Sequence, residues 1–375
     1  MIKIGFTGDF CPWQRIESAL IEENNWENLF KDVKSFFDQN DLNIIELECP
    51  LTTIGKKLVK TGPHLKADPQ TVEIIDYLNC KLVATANNHF LDYGEEGLRN
   101  TYKALKDYNI DWMGSGFNLK EASRPIVKEI GNFSFCFINI AESEWTTTFG
   151  SEPGCNPIDL VDLYNQISVL KSKVDFIIIN VHGGHEHYNL PSPRMKKWYR
   201  FFVDAGASAV IGHHTHIISG YEVYKNAPIF YGVGNFCFDY NKIQYKPWNY
   251  GMLVRLNFHS NKEITFELEF VEQNNNNIGV YFVKDKSPFL ENVQELNIVI
   301  QNDELLNMKF NEYASTWSSV INTWLQPYTG KVLPGLYKRG FLPSLIGKNK
   351  KLLFSNLIRC ESHKDILLVS IIKAS

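Results

Sequence analysis

An α/β fold is predicted for this 375-residue chain by three observations. Short apolar runs alternate with longer amphipathic stretches over roughly the first 230 residues, the pattern of buried strands separated by helices. From Gly251 the pattern changes to period two, in GMLVRLNF and EITFELEF, as antiparallel strands require. Hydrophobic residues make up 44% of the chain and aromatic residues 13%, enough to fill a large core and to disfavour disorder.

The apolar runs predict strands at Ile2–Thr7, Asn43–Leu47, Leu82–Thr85, Phe135–Ile140, Phe176–Val181 and Ala209–Ile211. The stretches between them predict helices near Trp26–Phe37, Pro69–Leu78, Glu95–Asp107, Pro157–Leu170 and Pro193–Ala205. Several open with Pro or an acidic first turn, and some end near Asn or Gly. An Asn-rich turn at Asn274–Asn277 leads into GVYFV, which completes the antiparallel strands. After about Lys284 helical patterns return, at Asp303–Leu325 and Lys351–Ala374. The expected organisation is therefore one domain over 1–284 and a mainly helical C-terminal region, without a recognisable motif, over 285–375.

Bulk properties narrow the function classes. A formal net charge of -4 supplies no general electrostatic attraction to nucleic acid, so no nucleic-acid partner is expected. GxxxxGK[ST] and GxGxxG are both absent, which disfavours nucleotide binding through those cradles. Seven cysteines (Cys11, Cys49, Cys80, Cys136, Cys155, Cys237, Cys360) are scattered and never spaced as CxxC, which reads as a reduced compartment without a cysteine-type zinc site. MIKIGFTGDF enters a strand pattern with no secretory leader, and no apolar run approaches the ~20 residues of a membrane helix. The expectation is a cytoplasmic protein with no membrane span. Pro327–Ser375 carries nine Lys or Arg against two acids. That is either a solvated helical face or a contact for an anionic polymer, a lipid surface or an acidic protein.

Chemistry concentrates at the strand ends. Open α/β sheets bind ligands beyond the carboxyl ends of their strands, where the loops converge. Asp9 follows the first strand, Glu46 and Glu48 end the second, and Asn87, Asn88 and His89 follow the third. His182 follows Phe176–Val181, and His214 and His216 follow Ala209–Ile211. Carboxylate oxygens, imidazole nitrogens and an amide oxygen together suit Zn²⁺, Mn²⁺ or Fe²⁺. Two imidazoles two positions apart in IGHHTHI can each serve a different ion, and one acid can bridge two ions, which points to a two-metal hydrolytic site. Singly each element is weak, since a lone Asp caps turns and an Asn-Asn-His can simply shape a loop. Five such strand ends in succession are hard to assign to chance.

These segments, in this order, resemble the motifs of a known family. GDF at Gly8–Phe10, ELECPLT at Glu46–Thr52, GPHLKADP, TANNHFLDYG at Thr85–Gly94, VHGGHEHY at Val181–Tyr188, GHHTH at Gly212–His216 and FYGVGNFCFD at Phe230–Asp239 carry the likeness. Over roughly residues 1–240 the chain resembles the bacterial capsule-synthesis CapA family, also called poly-γ-glutamate biosynthesis proteins, of the calcineurin-like metallophosphoesterase superfamily.

The resemblance implies a four-layer αββα sandwich with two divalent metal ions (Mn, Zn or Fe) at one edge. Asp9, Glu48, Asn88, His182, His214 and His216 become the implied ligands, with Glu48 as the bridge. His89 matches the position that protonates the leaving group elsewhere in the superfamily, and Asp92 would orient it. His185 and Glu186 would face substrate, and Asn235 either contacts substrate or belongs to a purely structural turn in GVGNF. Two departures stand out. Cys11 replaces a superfamily His, and is either a thiolate ligand or a buried structural residue. Glu46 replaces the usual Asn of the second motif and offers a second carboxylate. Gly183 and Gly184 leave no aromatic next to His182, so an aromatic wall is either missing or supplied by Trp145, Tyr188 or Tyr231.

The implied function is a metal-dependent hydrolase, phosphoesterase-like, in capsule or cell-envelope polymer metabolism (poly-γ-glutamate or polysaccharide). The ligand set alone leaves phosphoester and γ-glutamyl amide both open. The alternative is a weakly active or non-catalytic metal-stabilised scaffold, or a polymer-binding subunit of a capsule-synthesis complex. The partners implied are an anionic polymer or phosphoester substrate and capsule-synthesis proteins.

Overall fold

Strands covered on both faces need no polar side, and this is why the sequence shows short unbroken apolar runs. In the computed structural model, Leu42–Leu47 and Phe176–His182 are buried at every residue. The structure describes residues 1–23, 26–239, 246–273, 278–328, 330 and 332–359. The expected turn at 274–277, Cys360 and the end of the expected helix Lys351–Ala374 lie outside the described residues.

Among the described residues two sheets form the centre. The first runs, edge to edge, through Val280–Phe282, Ile264–Gln273, Tyr250–Phe258, Ile2–Cys11, Leu42–Leu47, Cys80–Ala84 and Asp111–Met113, and Asn235–Phe238 pairs alongside Ile2–Cys11. The second runs through Tyr221–Tyr224, Ala227–Phe230, Ala209–His213, Phe176–His182, Phe133–Ala141 and Ile126–Ile130. Alternate residues of each strand divide between two cores. Ile4, Phe6, Ile44, Leu82 and Ala84 join Phe135, Phe137, Ile178, Ile211 and Phe230 in the core between the sheets. Ile45, Leu47 and Val83 point the other way, into a core with Phe36, Phe37, Ile74, Ile75, Leu98 and Leu105 from the helices Lys34–Asp38, Val72–Tyr77 and Gly94–Asp107. The helix Pro193–Ala205 packs on Ala209–His213 and Ala227–Phe230 of the second sheet, and Leu160–Leu170 packs beside it. The result is the four-layer helix–sheet–sheet–helix order that the resemblance implied.

Local chemistry sets the helix ends. Ser192 caps Pro193–Ala205 by accepting the Met195 N–H at 3.2 Å, with Pro193 in the first turn and Gly206 at the end. Asp159 likewise accepts from Val161 and Asp162, so the helix expected from Pro157 begins at Leu160. The helix expected over Trp26–Phe37 is instead a 3₁₀ turn at Trp26–Leu29 followed by a helix at Lys34–Asp38. Trp26, Phe30, Phe36 and Phe37 are all buried, and docking these aromatic rings outranks weak helix propensity. Tyr250–Phe258 and Ile264–Gln273 pair antiparallel, as their alternation predicted.

Compact units divide at Asn307 and Met308, later than the expected boundary at 284/285. The helix Ser287–Gln301 belongs to the first unit because Val293, Leu296 and Ile300 are buried and it packs on Tyr221–Tyr224. Described parts of the second unit are helical, with Ser318–Trp324, Val332–Lys338 and Lys348–Arg359. The expected helix Asp303–Leu325 breaks into Asp303–Thr316 and Ser318–Trp324. Among the described residues no helix is long and apolar enough to cross a membrane, and Cys11, Cys49, Cys80, Cys136, Cys155 and Cys237 are buried free thiols.

One glycine governs how the strand ends meet. The Asp9 N–H donates to the Gly234 carbonyl at 2.9 Å, and a Cβ at Gly8 would stand 2.1 Å from that same oxygen. Gly8→Ala is therefore expected to destabilise the protein by about 1–3 kcal/mol through overpacking. Urea unfolding followed by circular dichroism checks this; an unchanged midpoint would contradict the close apposition.

Candidate metal centre

Parallel pairing brings the strand ends to one edge. Ile2–Cys11, Leu42–Leu47 and Cys80–Ala84 run parallel, with Asp9 opposite Glu46, and Phe176–His182 runs parallel to Ala209–His213, with His182 opposite His213. Glu48, just past its strand, is held by its N–H donating to the Phe10 carbonyl at 2.9 Å. In the third loop Asn87 is structural: its amide donates to the Leu47 carbonyl at 2.8 Å, and its own oxygen accepts the His89 N–H at 3.1 Å. That leaves the Asn88 oxygen free to face His182 Nε2 at 3.2 Å.

The HHTH turn is bent to present its imidazoles. His214 and His216 both have left-handed backbones, at φ 85° and 58°. Such a residue costs about 1–3 kcal/mol unless its surroundings hold it. Here the His214 N–H donates to Asp9 Oδ2 at 3.1 Å, and His216 Nδ1 lies 2.9 Å from Asn235 Oδ1.

Two groups of buried donors result, and they share one residue. Glu48, His182 and His214 form the first and Asp9, Glu48 and His216 the second, with the ligand atoms of each group within 4.8 Å of one another. His214 Nδ1 is 3.1 Å from His182 Nε2, and Glu48 Oε1 lies 3.8 Å from His182 Nε2 and 3.6 Å from His216 Nε2. Neither Glu48 oxygen has a hydrogen-bond donor, although the side chain is fully buried. A carboxylate without donors in such a place is what a bound cation would satisfy, and the nitrogen and oxygen donors around it suit a borderline divalent metal.

The electrostatics point the same way. Burial pushes the Glu48 carboxyl well above the usual range, and the neighbouring Asp9 and Glu46 add to the rise. Burial likewise pushes Glu46 up to about 8. At Asp9 burial is outweighed by hydrogen bonds from His213 and His216, which hold it below the ordinary carboxylate range. Burial, then the neighbouring His214, keeps His182 well below the usual imidazole value, so its nitrogens favour the neutral form that binds metals.

The remaining predicted residues divide by position. Glu46 stands outside both donor groups and faces the far side of His182, with Oε1 3.3 Å from Nδ1. Cys11 is also outside them, buried in the helix-side core together with Cys49 and Cys237. Asn235 is buried behind His216 and donates to the Trp248 carbonyl at 3.0 Å, which makes it a support of the turn. Tyr231 is buried against Tyr199, with ring centroids 5.4 Å apart, and so is no part of an open wall.

A cleft of about 270 Å³ opens over the centre, lined by Asn88, His89, Glu186, His216, Trp145 and Trp248 among others. His89 Nδ1 lies 2.7 Å from Asp92 Oδ2; the carboxylate can only accept, so Nδ1 carries the proton. Burial lowers the His89 basicity, against the opposing pull of Asp92. Half-exposed Glu186 lines the cleft, whereas His185 is half-buried beside Tyr188, with ring centroids 6.4 Å apart. Sequence reasoning missed His213, whose Nδ1 is 3.2 Å from Asp9 Oδ1, and Trp248, whose ring packs 4.5 Å from that of His216. It also missed Glu144, 3.8 Å from His214 Nε2, and Lys60, which lines the cleft. Only His213 carried a signal, as a third histidine in the same motif.

Comparisons with known proteins show what this chain is similar to. The capsule biosynthesis protein CapA of Bacillus anthracis is 29% identical over 247 residues, covering 64% of this chain and 60% of that protein. The PGA biosynthesis protein CapA of Bacillus subtilis (strain 168) is 29% identical over 247 residues, covering 64% of each. The chain thus matches less than two thirds of the length of these relatives. A crystal structure of a hypothetical protein from Thermus thermophilus is similar with a TM-score of 0.45 at 15% identity, covering 72% of this chain and 99% of that one. The profile of the family described as bacterial capsule synthesis protein PGA_cap matches residues 3–240, a span that contains every donor of both groups, and the chain belongs to that family.

Proposed function

We propose that this chain is a dinuclear-metal hydrolase of phosphoesterase type, acting on an anionic polymer or phosphoester in capsule or cell-envelope metabolism. The observation that carries the reading is Glu48, a buried carboxylate without donors that belongs to both ligand groups. Glu48, His182 and His214, with the Asn88 oxygen, would hold one ion; Asp9, Glu48 and His216 would hold the other. When bound, such a pair supplies Lewis acidity to the electrophilic centre and to the attacking water.

The chain's own residues supply the rest. With Nδ1 donating to Asp92, His89 offers Nε2 to the cleft as the group that passes a proton to the leaving oxygen. Trp145 and Trp248 give the cleft apolar walls, which exclude water and accept the body of a substrate. The polymer is suggested by the names of the relatives, Capsule biosynthesis protein CapA and PGA biosynthesis protein CapA. Capsule-synthesis proteins are the proposed partners.

Metal analysis tests the centre. Protein purified with Mn²⁺ is expected to retain about two ions per chain. His216→Ala should retain about one, and Glu48→Ala should lose both, as read by plasma mass spectrometry. Equal metal content in all three would end the two-group reading. After chelation, Glu48→Gln should be at least as stable as wild type, because it replaces a buried carboxyl that lacks donors and must otherwise take up a proton against its ordinary tendency to ionise. A calorimetric loss of stability for the chelated variant would show that the carboxylate is satisfied by the protein alone.

Turnover is tested with bis-p-nitrophenyl phosphate. Metal-dependent hydrolysis is expected, falling about 10²- to 10⁴-fold in His89→Ala while metal content stays constant. Full metal occupancy without turnover on a broad substrate panel would favour the scaffold reading.

A further inference from the structure

Asp92 is fully buried, and its carboxylate is approached by three donors, one of which is a cation. Oδ2 accepts the His89 Nδ1–H at 2.7 Å and the Leu65 N–H at 2.7 Å. Oδ1 is ion-paired with the Lys60 ammonium, whose side chain is only 2% exposed. Lys60 Nζ also donates to the Asn88 carbonyl at 3.4 Å and lies 3.2 Å from His89 Nδ1. A lysine ammonium can only donate, and so can Nδ1–H, so the two cannot bond each other and must share the one acceptor between them. Lys60 thus touches the backbone of a candidate ligand, the ring of the proton-passing residue and the carboxylate that orients it.

The loop that delivers Lys60 is tied to the same residue. The Asp92 carbonyl accepts the Leu58 N–H at 2.9 Å while its side chain accepts from Leu65, so Asp92 clips the segment 58–65 at both ends. Within the segment His64 Nε2 donates to the Leu58 carbonyl at 2.6 Å. Lys60 and Thr61 to Pro63 then form part of the cleft wall. Without the ammonium, the buried carboxylate would keep only neutral donors, a state that is strongly disfavoured, and the side chain would no longer be held in its present place. Its turning away releases Nδ1 of His89.

We infer that Lys60 is a positioning residue: its ammonium fixes Asp92 so that His89 holds the Nδ1–H tautomer and keeps Nε2 facing the cleft. The inference rests on the proposed role of His89 in hydrolysis. Nothing in the 53–66 sequence marks Lys60 out from Lys56, Lys57 and Lys66, and only the fold places its charge on Asp92.

The test uses full-length protein with ¹⁵N-labelled histidine, the His89 signal being assigned by its loss in His89→Gln. Wild type should show His89 as a single Nδ1–H tautomer. In Lys60→Met, metal content should hold, kcat on bis-p-nitrophenyl phosphate should fall about 10- to 100-fold with KM within about twofold, and the His89 signal should become a mixture of tautomers. Lys60→Arg, which can still reach the carboxylate, should recover a substantial part of kcat and the single tautomer. An Nε2–H tautomer in wild type, or unchanged kcat and tautomer in Lys60→Met, overturns the inference. If wild type binds metal without turnover, the hydrolase reading fails, and the His89 signal alone still decides the role of Lys60. If Lys60→Met does not fold, the wild-type tautomer and the Lys60→Arg protein decide it.

Discussion

The site depends on a single constraint, which is that three carboxylates are buried together with too few donors to satisfy them. Asp9, Glu46 and Glu48 are all at most 1% exposed, and Glu48 accepts no hydrogen bond. Keeping any of them ionised costs several kcal/mol even after relaxation, against a net stability of roughly 5–15 kcal/mol for a whole domain. Each takes up a proton, the direction in which burial pushes Glu46 and Glu48, unless a partner compensates for its charge. The imidazoles of His213 and His216 do so for Asp9, which they hold ionised. Glu48 has no comparable protein partner, and its position in both donor groups is compatible with a bound cation in that role.

The scaffold makes this concentration of charge possible by being rigid elsewhere. Asp9 sits at the end of a strand flanked by Leu42–Leu47 on one side and by Asn235–Phe238 and Tyr250–Phe258 on the other. Gly8 allows the first strand to approach the 232–234 turn closely enough for the Asp9 N–H to reach the Gly234 carbonyl. The same packing carries the strain of the HHTH turn. Two left-handed histidines together cost a few kcal/mol, yet the turn is held by Asp9 on the His214 backbone and by Asn235 and Trp248 on the His216 ring. The strained conformation is what lets His214 and His216 serve different donor groups from neighbouring positions of one turn.

How much of this was legible in the sequence follows from where the signal resided. Metal-capable residues at the strand ends, Glu46, Asn87 and His89 among them, stood out because each interrupts or follows an apolar run, and it was the family resemblance that narrowed them to Asp9, Glu48, Asn88, His182, His214 and His216. Parallel pairing then did the gathering. Lys60 and Trp248 come from segments outside the strands, which have no period to violate, and their positions follow only from tertiary contacts. Asp111–Met113 and Tyr221–Tyr224 went unread because they are short edge strands with partly exposed residues, too brief for alternation to register. The aromatic spacing over Trp26–Phe37 imitated a helix, although the rings are held by a core and not by a helical face.

The departures from the family pattern take on physical meaning once placed. Cys11 stands where an imidazole ligand was to be expected, yet its thiol is packed among apolar residues and burial pushes it well above its ordinary value, so it stays protonated and inert. The first strand therefore contributes Asp9 alone to the donor groups. Glu46 departs from the pattern in another way. Its oxygen lies 3.3 Å from Nδ1 of His182, on the side of the ring away from Asn88 and His214, which face Nε2. Burial pushes the Glu46 carboxyl up to about 8, and His182 Nδ1 has no hydrogen-bond partner, so exchanging an amide for Glu46 puts a largely protonated carboxyl, and not a fixed charge, behind the ring.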